Sequence, residues 1–230
     1  RERNVYVENL KSGKIHVLTK RSSDTVINGT FDWVYEEELG LRDGYRWSPD
    51  GKSIAYWQLD EEGVPLMHML NNVSGYYPKL ITFRYPKTGE TNAICRVGVV
   101  QLKNVKTTWM KVPGDPRNHY LARMEWAKSS EELHLQQLNR LQNTNRVMLA
   151  NARDGEVKTV YTDRDDAWIE VRFGFTKWID KGNQFTYVSE REGWRQVYLV
   201  SREGEAVQKV TGGNYDVIRA LKIDEANQWL

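Results

Sequence analysis

The chain has 230 residues, of which 40% are hydrophobic and 28% charged, so it is long enough to bury a core beneath a well-solvated surface. Its net charge of +2 comes from 33 basic and 31 acidic residues mixed along the chain, which argues against a nucleic-acid-binding surface. The mean hydropathy is −0.68, and no apolar run approaches the ~20 residues of a membrane-spanning helix, so we expect no membrane span in these residues.

The chain starts and stops inside strand-like patterns. NVYVENL at 4–10 follows almost directly on the first residue, and LKIDEANQWL at 221–230 ends without a closing turn. No signal peptide is visible, because no apolar segment follows the charged N-terminus. We therefore expect the chain to be a fragment of a longer protein.

The segment FDWVYEEEL at 31–39 places three adjacent glutamates behind an apolar Trp-Val-Tyr run. Neighbouring carboxylates repel one another, so the three side chains face either water or a cation. An isolated run of this kind is most often a solvated surface. The local sequence leaves both interpretations open.

The segment YRWSPDGKSIAYWQLD at 45–60 predicts a hairpin. Pro49 and Gly51 favour a tight turn between a Trp-bearing strand and an alternating strand. Similar patterns begin at 124 and 175, and they predict that Trp47, Trp126 and Trp178 occupy equivalent positions. The stretch 132–145, ELHLQQLNRLQNTN, has leucines three apart that resemble a helix, but the repeated pattern favours a strand with NTN as its turn.

These repeats predict an all-β fold: a partial β-propeller of about four four-stranded antiparallel blades. The first repeat interval is longer than the second, which indicates an insertion at 64–92. This insertion is rich in aromatic and aliphatic residues and contains two Tyr-Pro sequences. It is either an interface arm or an extended hairpin folded back on its own blade.

The chain lacks the usual signatures of a catalytic centre. It contains no G-x-S-x-G nucleophile elbow, and its four histidines are scattered without metal-type spacing. The acidic stretch 162–168, TDRDDAW, lacks the glycine and distal glutamate of an EF-hand, so we expect a solvated loop there. Cys95 is the only cysteine, and we expect it to be buried and inert. We predict no catalytic residue, no metal site and no cofactor.

The order of several segments resembles the N-terminal β-propeller domain of the dipeptidyl peptidase IV family, serine exopeptidases of the prolyl oligopeptidase class. The matching segments run from DWVYEEEL through RWSPDGKSIAYWQLD, VPL, YPK, YPKTGETN, HYLARMEWA and LQQLNRLQN to REGWRQVYLV, and they span essentially the whole chain. The resemblance implies that residues 1–230 are a fragment of an eight-bladed propeller. It also implies a C-terminal α/β-hydrolase domain with a Ser-Asp-His triad, which is absent from this chain.

The resemblance assigns a role to two of the three glutamates. It implies that Glu37 and Glu38 hold the free α-ammonium of a peptide substrate, while Glu36 points elsewhere. Arg172 and Phe173 are weaker candidates for the extended substrate side, because the order of the family's Phe-Arg pair is reversed here. The alternative for these two is an arginine and a core aromatic residue in an ordinary strand.

We expect a substrate-gating, amine-recognising propeller of a peptidase that releases N-terminal dipeptides of the Xaa-Pro or Xaa-Ala type, with this fragment itself inactive. The expected partners are a peptide with a free N-terminus, the hydrolase domain of the same chain, and a second copy bound through 64–92. The resemblance suggests an exported protein, and the single cysteine favours a periplasmic one. The alternative function is a non-catalytic propeller scaffold for protein–protein interaction. Sequons for N-glycosylation begin at Asn28 and Asn72.

Overall fold

A computed structural model describes residues 1–172, 174–227 and 229, and these residues form an almost entirely β structure. They divide between two compact units. The first comprises Arg1–Trp47, Lys52–Trp109 and Gly114–Asn118, and the second comprises Ser48–Gly51, Met110–Pro113 and the chain from His119 onward. No helix in the described residues has the length and apolar character needed to cross a membrane.

The first unit consists of three antiparallel sheets and one short helix. Its elements are β1 (Tyr6–Asn9), β2 (Lys14–Val17), β3 (Val26–Asn28), α1 (Trp33–Glu37), β4 (Tyr45–Trp47), β5 (Ser53–Asp60), β6 (Leu66–Asn71), β7 (Lys79–Arg84), β8 (Ile94–Gln101) and β9 (Thr107–Trp109). β1 pairs with β2, β6 pairs with β7, and the main sheet runs β3-β5-β8-β9 with β4 also paired to β5. The interior of β5 is buried residue after residue, so both faces of this sheet are covered.

The second unit consists of two four-stranded sheets. Its elements are β10 (His119–Trp126), β11 (Glu132–Asn139), β12 (Thr144–Asn151), β13 (Val157–Arg164), β14 (Trp178–Ile179), a 3-10 turn (Asp180–Gly182), β15 (Gln184–Ser189), β16 (Gln196–Ser201) and β17 (Val207–Lys209). Each sheet is antiparallel with its strands in chain order. This up-and-down arrangement is that of a propeller blade, so the predicted all-β class is confirmed.

The three tryptophans identified as equivalent occupy the same register in their sheets. Trp47 pairs with Ile54, Trp126 with Leu133, and Trp178 with Phe185, so the partner lies seven positions further along in each case. The predicted tight turn after Trp47 is also present. Its backbone closes with a hydrogen bond from the Gly51 amide to the Ser48 carbonyl at 2.9 Å, and Gly51 has a φ of +68°.

The segment with leucines three apart is a strand, as predicted. β11 pairs with β10 on one side and β12 on the other, and its central residues are buried on both faces. The turn, however, lies earlier than predicted, because β12 already begins at Thr144 within the NTN sequence. Asn139 causes this difference: its Oδ1 accepts hydrogen bonds from the amides of Asn143 and Thr144 and closes the turn.

The two sheets of the second unit pack on each other through an apolar cluster and an arginine. Val147 and Val160 of one sheet belong to the same buried cluster as Phe185 and Val200 of the other. Arg202 forms an ion pair with Glu132 and donates hydrogen bonds to the carbonyl oxygens of residues 127 and 182. Its guanidinium group also lies 4.8 Å from the ring centroid of Trp178, which adds a cation–π contact.

His134 lies within this packed region and has no polar partner at Nε2 among the described residues. Its ring makes edge contacts with Phe185 at 5.2 Å and Trp178 at 5.9 Å. Burial lowers the pKa of His134 from 6.5 to about 4. The unfolded chain therefore binds a proton more readily than the folded chain, so acid destabilises this packing.

Replacing His134 tests the free-energy cost of protonating its buried ring. Above about pH 6.5 the ring is neutral in both the folded and the unfolded chain. As the pH falls from there to about 4, the unfolded chain binds a proton first, so the folded chain should lose stability. The stability of His134→Leu relative to the unaltered protein should therefore increase by about 3 kcal/mol between about pH 7 and pH 4. Guanidinium unfolding at several pH values measures this difference. If the stability difference between His134→Leu and the unaltered protein does not change with pH, the lowered pKa of His134 is contradicted.

Candidate functional site

The three glutamates lie on a loop that interrupts the first strand of the main sheet. β3 and β4 pair with the same edge of β5, and the chain leaves this edge between them, at residues 29–44. We call residues 29–44 the glutamate loop. The amide of Gly29 donates to the carbonyl of Trp57 at 2.9 Å, and the amide of Trp57 donates to the carbonyl of Gly44 at 3.0 Å. One residue of β5 thus holds both ends of the loop.

The glutamate loop takes the place of a β-bulge. In the second unit, the register of β10 shifts between Leu121 and Arg123, opposite the step from Gln137 to Gln136. Counted from the equivalent tryptophan pairs, this step corresponds to Gln58–Trp57, where the glutamate loop leaves the sheet. Bulges redirect the chain without ending a strand, and here the redirected segment has expanded into a loop that carries a helix.

Two glycines allow the ends of the loop to meet. A Cβ atom on Gly44 would lie 2.5 Å from the carbonyl carbon of Gly29 and 2.6 Å from the amide nitrogen of Thr30. Gly29 has a φ of +71°, and a Cβ atom there would lie 2.4 Å from a methyl group of Val5. A larger residue at Gly44 would therefore force the two ends of the loop, its neck, apart, and a larger residue at Gly29 would collide with Val5.

Helix α1 presents the glutamates because its opposite face is buried. Tyr35 is the buried residue of α1, and Leu39, two positions beyond the end of the helix, is also buried. Glu36, Glu37 and Glu38 lie between them in sequence and are all exposed. Buried Tyr35 and Leu39 thus flank the three exposed glutamates, which explains why apolar and acidic residues adjoin in the sequence.

Aromatic packing and a cap fix this turn. The Phe31 ring stacks on Tyr35 at 5.7 Å and meets Trp57 edge-on at 5.2 Å. The Asp32 side chain caps the helix by accepting a hydrogen bond from the Tyr35 amide at 3.0 Å. A five-residue helix is too short to be stable alone, so its orientation depends on these contacts.

The three glutamates differ in their partners. Glu36 lies 4.0 Å from the guanidinium group of Arg42, so its charge is partly balanced. Within the part of the chain that the structure describes, the carboxylates of Glu37 and Glu38 have neither a hydrogen bond nor an ion pair. Two adjacent exposed carboxylates can accept charge-assisted hydrogen bonds from a positively charged group.

Two further carboxyl groups lie buried near the base of the helix. Burial raises the pKa of Asp32 from 3.8 to about 6, and the negative charge of Glu61 adds to this shift. Burial also raises the pKa of Glu61, although Arg3 opposes it through an ion pair of 3.1 Å. Nothing in the sequence around Asp32 indicated a buried carboxyl group, because its burial depends on Glu61 and other distant residues.

The weaker candidates lie in the second unit. Arg172 is exposed in an irregular segment between β13 and β14, not in a strand. The preceding residue, Val171, is held by a hydrogen bond from Arg123 to its carbonyl oxygen at 2.5 Å. Phe173 lies outside the described residues.

The other polar motifs occupy structural positions. Asp163 was expected in a solvated loop, but it is buried at the end of β13 with Arg191 at 3.7 Å. Asn28 is also buried and accepts a hydrogen bond from Gln58 at 2.6 Å, so of the two sequons only Asn72 is exposed. Cys95 is buried as expected. The described residues contain no cluster of three or more potential metal ligands.

Comparison with known proteins relates the chain to a single family. Residues 1–230 match the family described as the dipeptidyl peptidase IV N-terminal region. The chain is 29% identical to the inactive dipeptidyl peptidase 10 of Rattus norvegicus, with 99% of this chain and 30% of that protein aligned. It is 26% identical to dipeptidyl peptidase 4 of Trichophyton rubrum, with 97% of this chain and 30% of that protein aligned.

A solved structure shows the same relationship. The crystal structure of Porphyromonas gingivalis dipeptidyl peptidase 4 matches 98% of this chain and 32% of that protein, with 28% identity and a TM-score of 0.90. This similarity confirms the predicted partial propeller. The chain spans about a third of the length of the proteins that it matches.

Replacing Asp32 by asparagine tests its buried charge. Because the folded-state pKa lies above the ordinary value, the unaltered protein should lose stability as the pH rises from about 4 through 6. Asparagine retains the capping oxygen but has no charge, so Asp32→Asn should gain about 2 kcal/mol relative to the unaltered protein over that range. Chemical unfolding at about pH 4 and pH 8 measures the gain.

Asp32→Ala is the matched control, since it removes both the charge and the cap. It should be less stable than Asp32→Asn by about 1 kcal/mol at either pH. If Asp32→Asn showed no pH-dependent gain, the carboxyl group would not be buried as described.

Proposed function

The chain belongs to the dipeptidyl peptidase IV N-terminal family, and we propose that its glutamate loop anchors the free N-terminal amine of a peptide substrate. The observation that carries this proposal is the pair of exposed carboxylates, Glu37 and Glu38, on a helix whose other face is fixed in the core. Neither carboxylate is paired with a cation within the described residues.

The chemistry of an α-amine suits these two side chains. With a pKa of about 7.7–8, the amine is mostly charged at neutral pH and offers three hydrogen-bond donors. Each carboxylate accepts one charge-assisted hydrogen bond, and the third donor remains for water or another acceptor. The bound ammonium also relieves the repulsion between the two carboxylates, which favours binding.

Fixing the N-terminal amine would determine which peptide bond of the substrate can be cleaved. In the full-length protein, the hydrolase domain would supply the nucleophilic serine, and the propeller would hold the amine at a set distance from it. Only the bond after the second residue would then reach the serine, so dipeptides would be released. The preference for Xaa-Pro or Xaa-Ala would come from a pocket of the hydrolase domain. The contribution of this chain is to position the substrate: the energy of binding the amine holds the correct peptide bond at the serine.

Removing one carboxylate tests the anchor. In the full-length protein, we expect Glu37→Gln or Glu38→Gln to lower kcat/KM for Gly-Pro-p-nitroanilide by about thirtyfold or more, because glutamine cannot balance the ammonium charge. Initial-rate kinetics measure the change, and circular dichroism confirms folding. A decrease of less than about threefold for both variants would refute the anchor.

Glu36→Gln is a matched control, because Glu36 lies on the same helix but faces Arg42. It should retain kcat/KM within about twofold. The N-acetylated substrate is the second control. Without an ammonium group it should not be cleaved, whereas equal cleavage of both substrates would indicate an endopeptidase-like relative.

A non-catalytic scaffold is the second candidate function. The similarity to a protein named inactive dipeptidyl peptidase 10 favours it, because the same propeller then occurs in a protein described as inactive. The rest of the gene discriminates between the two functions. A G-x-S-x-G elbow followed by aspartate and histidine supports the peptidase, and a missing serine supports the scaffold.

We also propose that the segment 64–92 forms a homodimer contact. It contains the β6–β7 hairpin, in which Leu70 pairs with Leu80 and Met69 with Ile81. These pairs point to opposite faces, and all four side chains are exposed by 45% or more. A two-stranded hairpin with apolar residues on both faces is marginal in water, so a second copy would stabilise it by covering one face.

Deleting the hairpin tip, 71–77, tests this interface. The full-length protein should shift from dimer towards monomer in sedimentation velocity, because Tyr76 and Tyr77 at the tip are lost. The double substitution Leu70→Glu and Leu80→Glu keeps the tip but adds charge to one face, and it should have the same effect. An unchanged dimer in both variants would contradict the proposed interface.

The predicted export to the periplasm stays a prediction.

A further inference from the structure

The base of the β6–β7 hairpin touches the glutamate loop. Tyr85 directly follows β7, and its amide donates to the carbonyl of Pro65 at 2.9 Å, which closes the hairpin base. Arg84 reinforces this closure, because its guanidinium group donates to the carbonyl of Val64 at 2.7 Å. These two hydrogen bonds fix the backbone at Tyr85.

The Tyr85 ring lies against Trp33, the first residue of α1. Their ring centroids are 4.4 Å apart with an interplanar angle of 57°, and both side chains are half-buried. Phe83 supports the Tyr85 ring edge-on at 6.3 Å. Aromatic pairs with this geometry contribute beyond the area that they bury, so the contact fixes the position of Trp33.

A cleft lies beside this contact. An open cleft of about 470 Å³ separates the loop from the hairpin nearby. Asp32, Trp33 and Glu36 line it on the loop side, and Leu66, Thr82 and Arg84 line it on the hairpin side. Across this gap, the Trp33–Tyr85 pair joins the two segments.

We propose that Trp33 and Tyr85 are positioning residues for the amine anchor, which set the orientation of α1 and hence of Glu37 and Glu38. The inference rests on the proposed function of these glutamates. It follows from the shortness of α1: Tyr35 fixes the helix on its buried face, and Asp32 fixes its first turn. Trp33 prevents the helix from rotating towards the cleft, which would move both carboxylates.

The test removes the Tyr85 ring in the full-length protein. Tyr85→Leu should lower kcat/KM for Gly-Pro-p-nitroanilide about tenfold, whereas Tyr85→Phe keeps the ring and should restore the wild-type value. Sedimentation velocity and near-ultraviolet circular dichroism on the same samples show whether assembly and packing are unchanged. If Tyr85→Leu does not fold, Trp33→Met removes the same contact from the helix side.

A double-mutant cycle separates positioning from general damage. If Tyr85 acts through the anchor, adding Tyr85→Leu to Glu37→Gln should cause less than about a twofold further loss. Additive losses would show that Tyr85 acts on activity by another route and would overturn the inference. A normal kcat/KM in Tyr85→Leu would also overturn it, while the loss in Glu37→Gln would leave the amine anchor standing. If Glu37→Gln, Glu38→Gln and Tyr85→Leu all retained activity, the anchor and this inference would fail together.

Discussion

The structure of the candidate site depends on the closed neck of the glutamate loop. Trp57 receives one end of the loop through its carbonyl and holds the other through its amide, while Gly29 and Gly44 let the two backbones approach. The neck lies within a strand that continues on either side as β3 and β4. The sheet therefore determines the position of α1, although the helix is not part of the sheet. A short helix becomes a reliable support only under such a constraint.

Five carboxyl groups lie on or near the glutamate loop, and only some of them are balanced by a cation. Besides the three exposed glutamates, the buried Asp32 and Glu61 both have raised pKa values, mainly because of burial. Arg3 balances Glu61, and Arg42 lies near Glu36, but Glu37 and Glu38 have no such cation within the described residues. Under the proposed function, a bound ammonium would bring the missing positive charge to Glu37 and Glu38.

The sequence predicts the blades well because their signals are local. The turn ending at Gly51 and the register of Trp47 depend on residues a few positions apart, and both were predicted from the pattern alone. The roles of Glu37 and Glu38 came instead from the family resemblance. Helix α1 was not predicted, since five residues are too few for a periodic signal. The Trp33–Tyr85 contact and the burial of Asn28 depend on residues distant in sequence, which no local pattern reports.

If Glu37 and Glu38 bind one ammonium group as proposed, the geometry of strands explains why they lie at a helix. In a strand, successive side chains point to opposite faces, so Glu37 and Glu38 within β3 or β4 could not both reach one ammonium. In a helix, neighbouring side chains are about 100° apart, and both can converge on a ligand beyond the helix surface. Glu37 ends α1 and Glu38 keeps helical backbone angles, with φ −80° and ψ −40°. A loop with one helical turn is therefore a way for an all-β blade to place two adjacent carboxylates where both could contact one ligand.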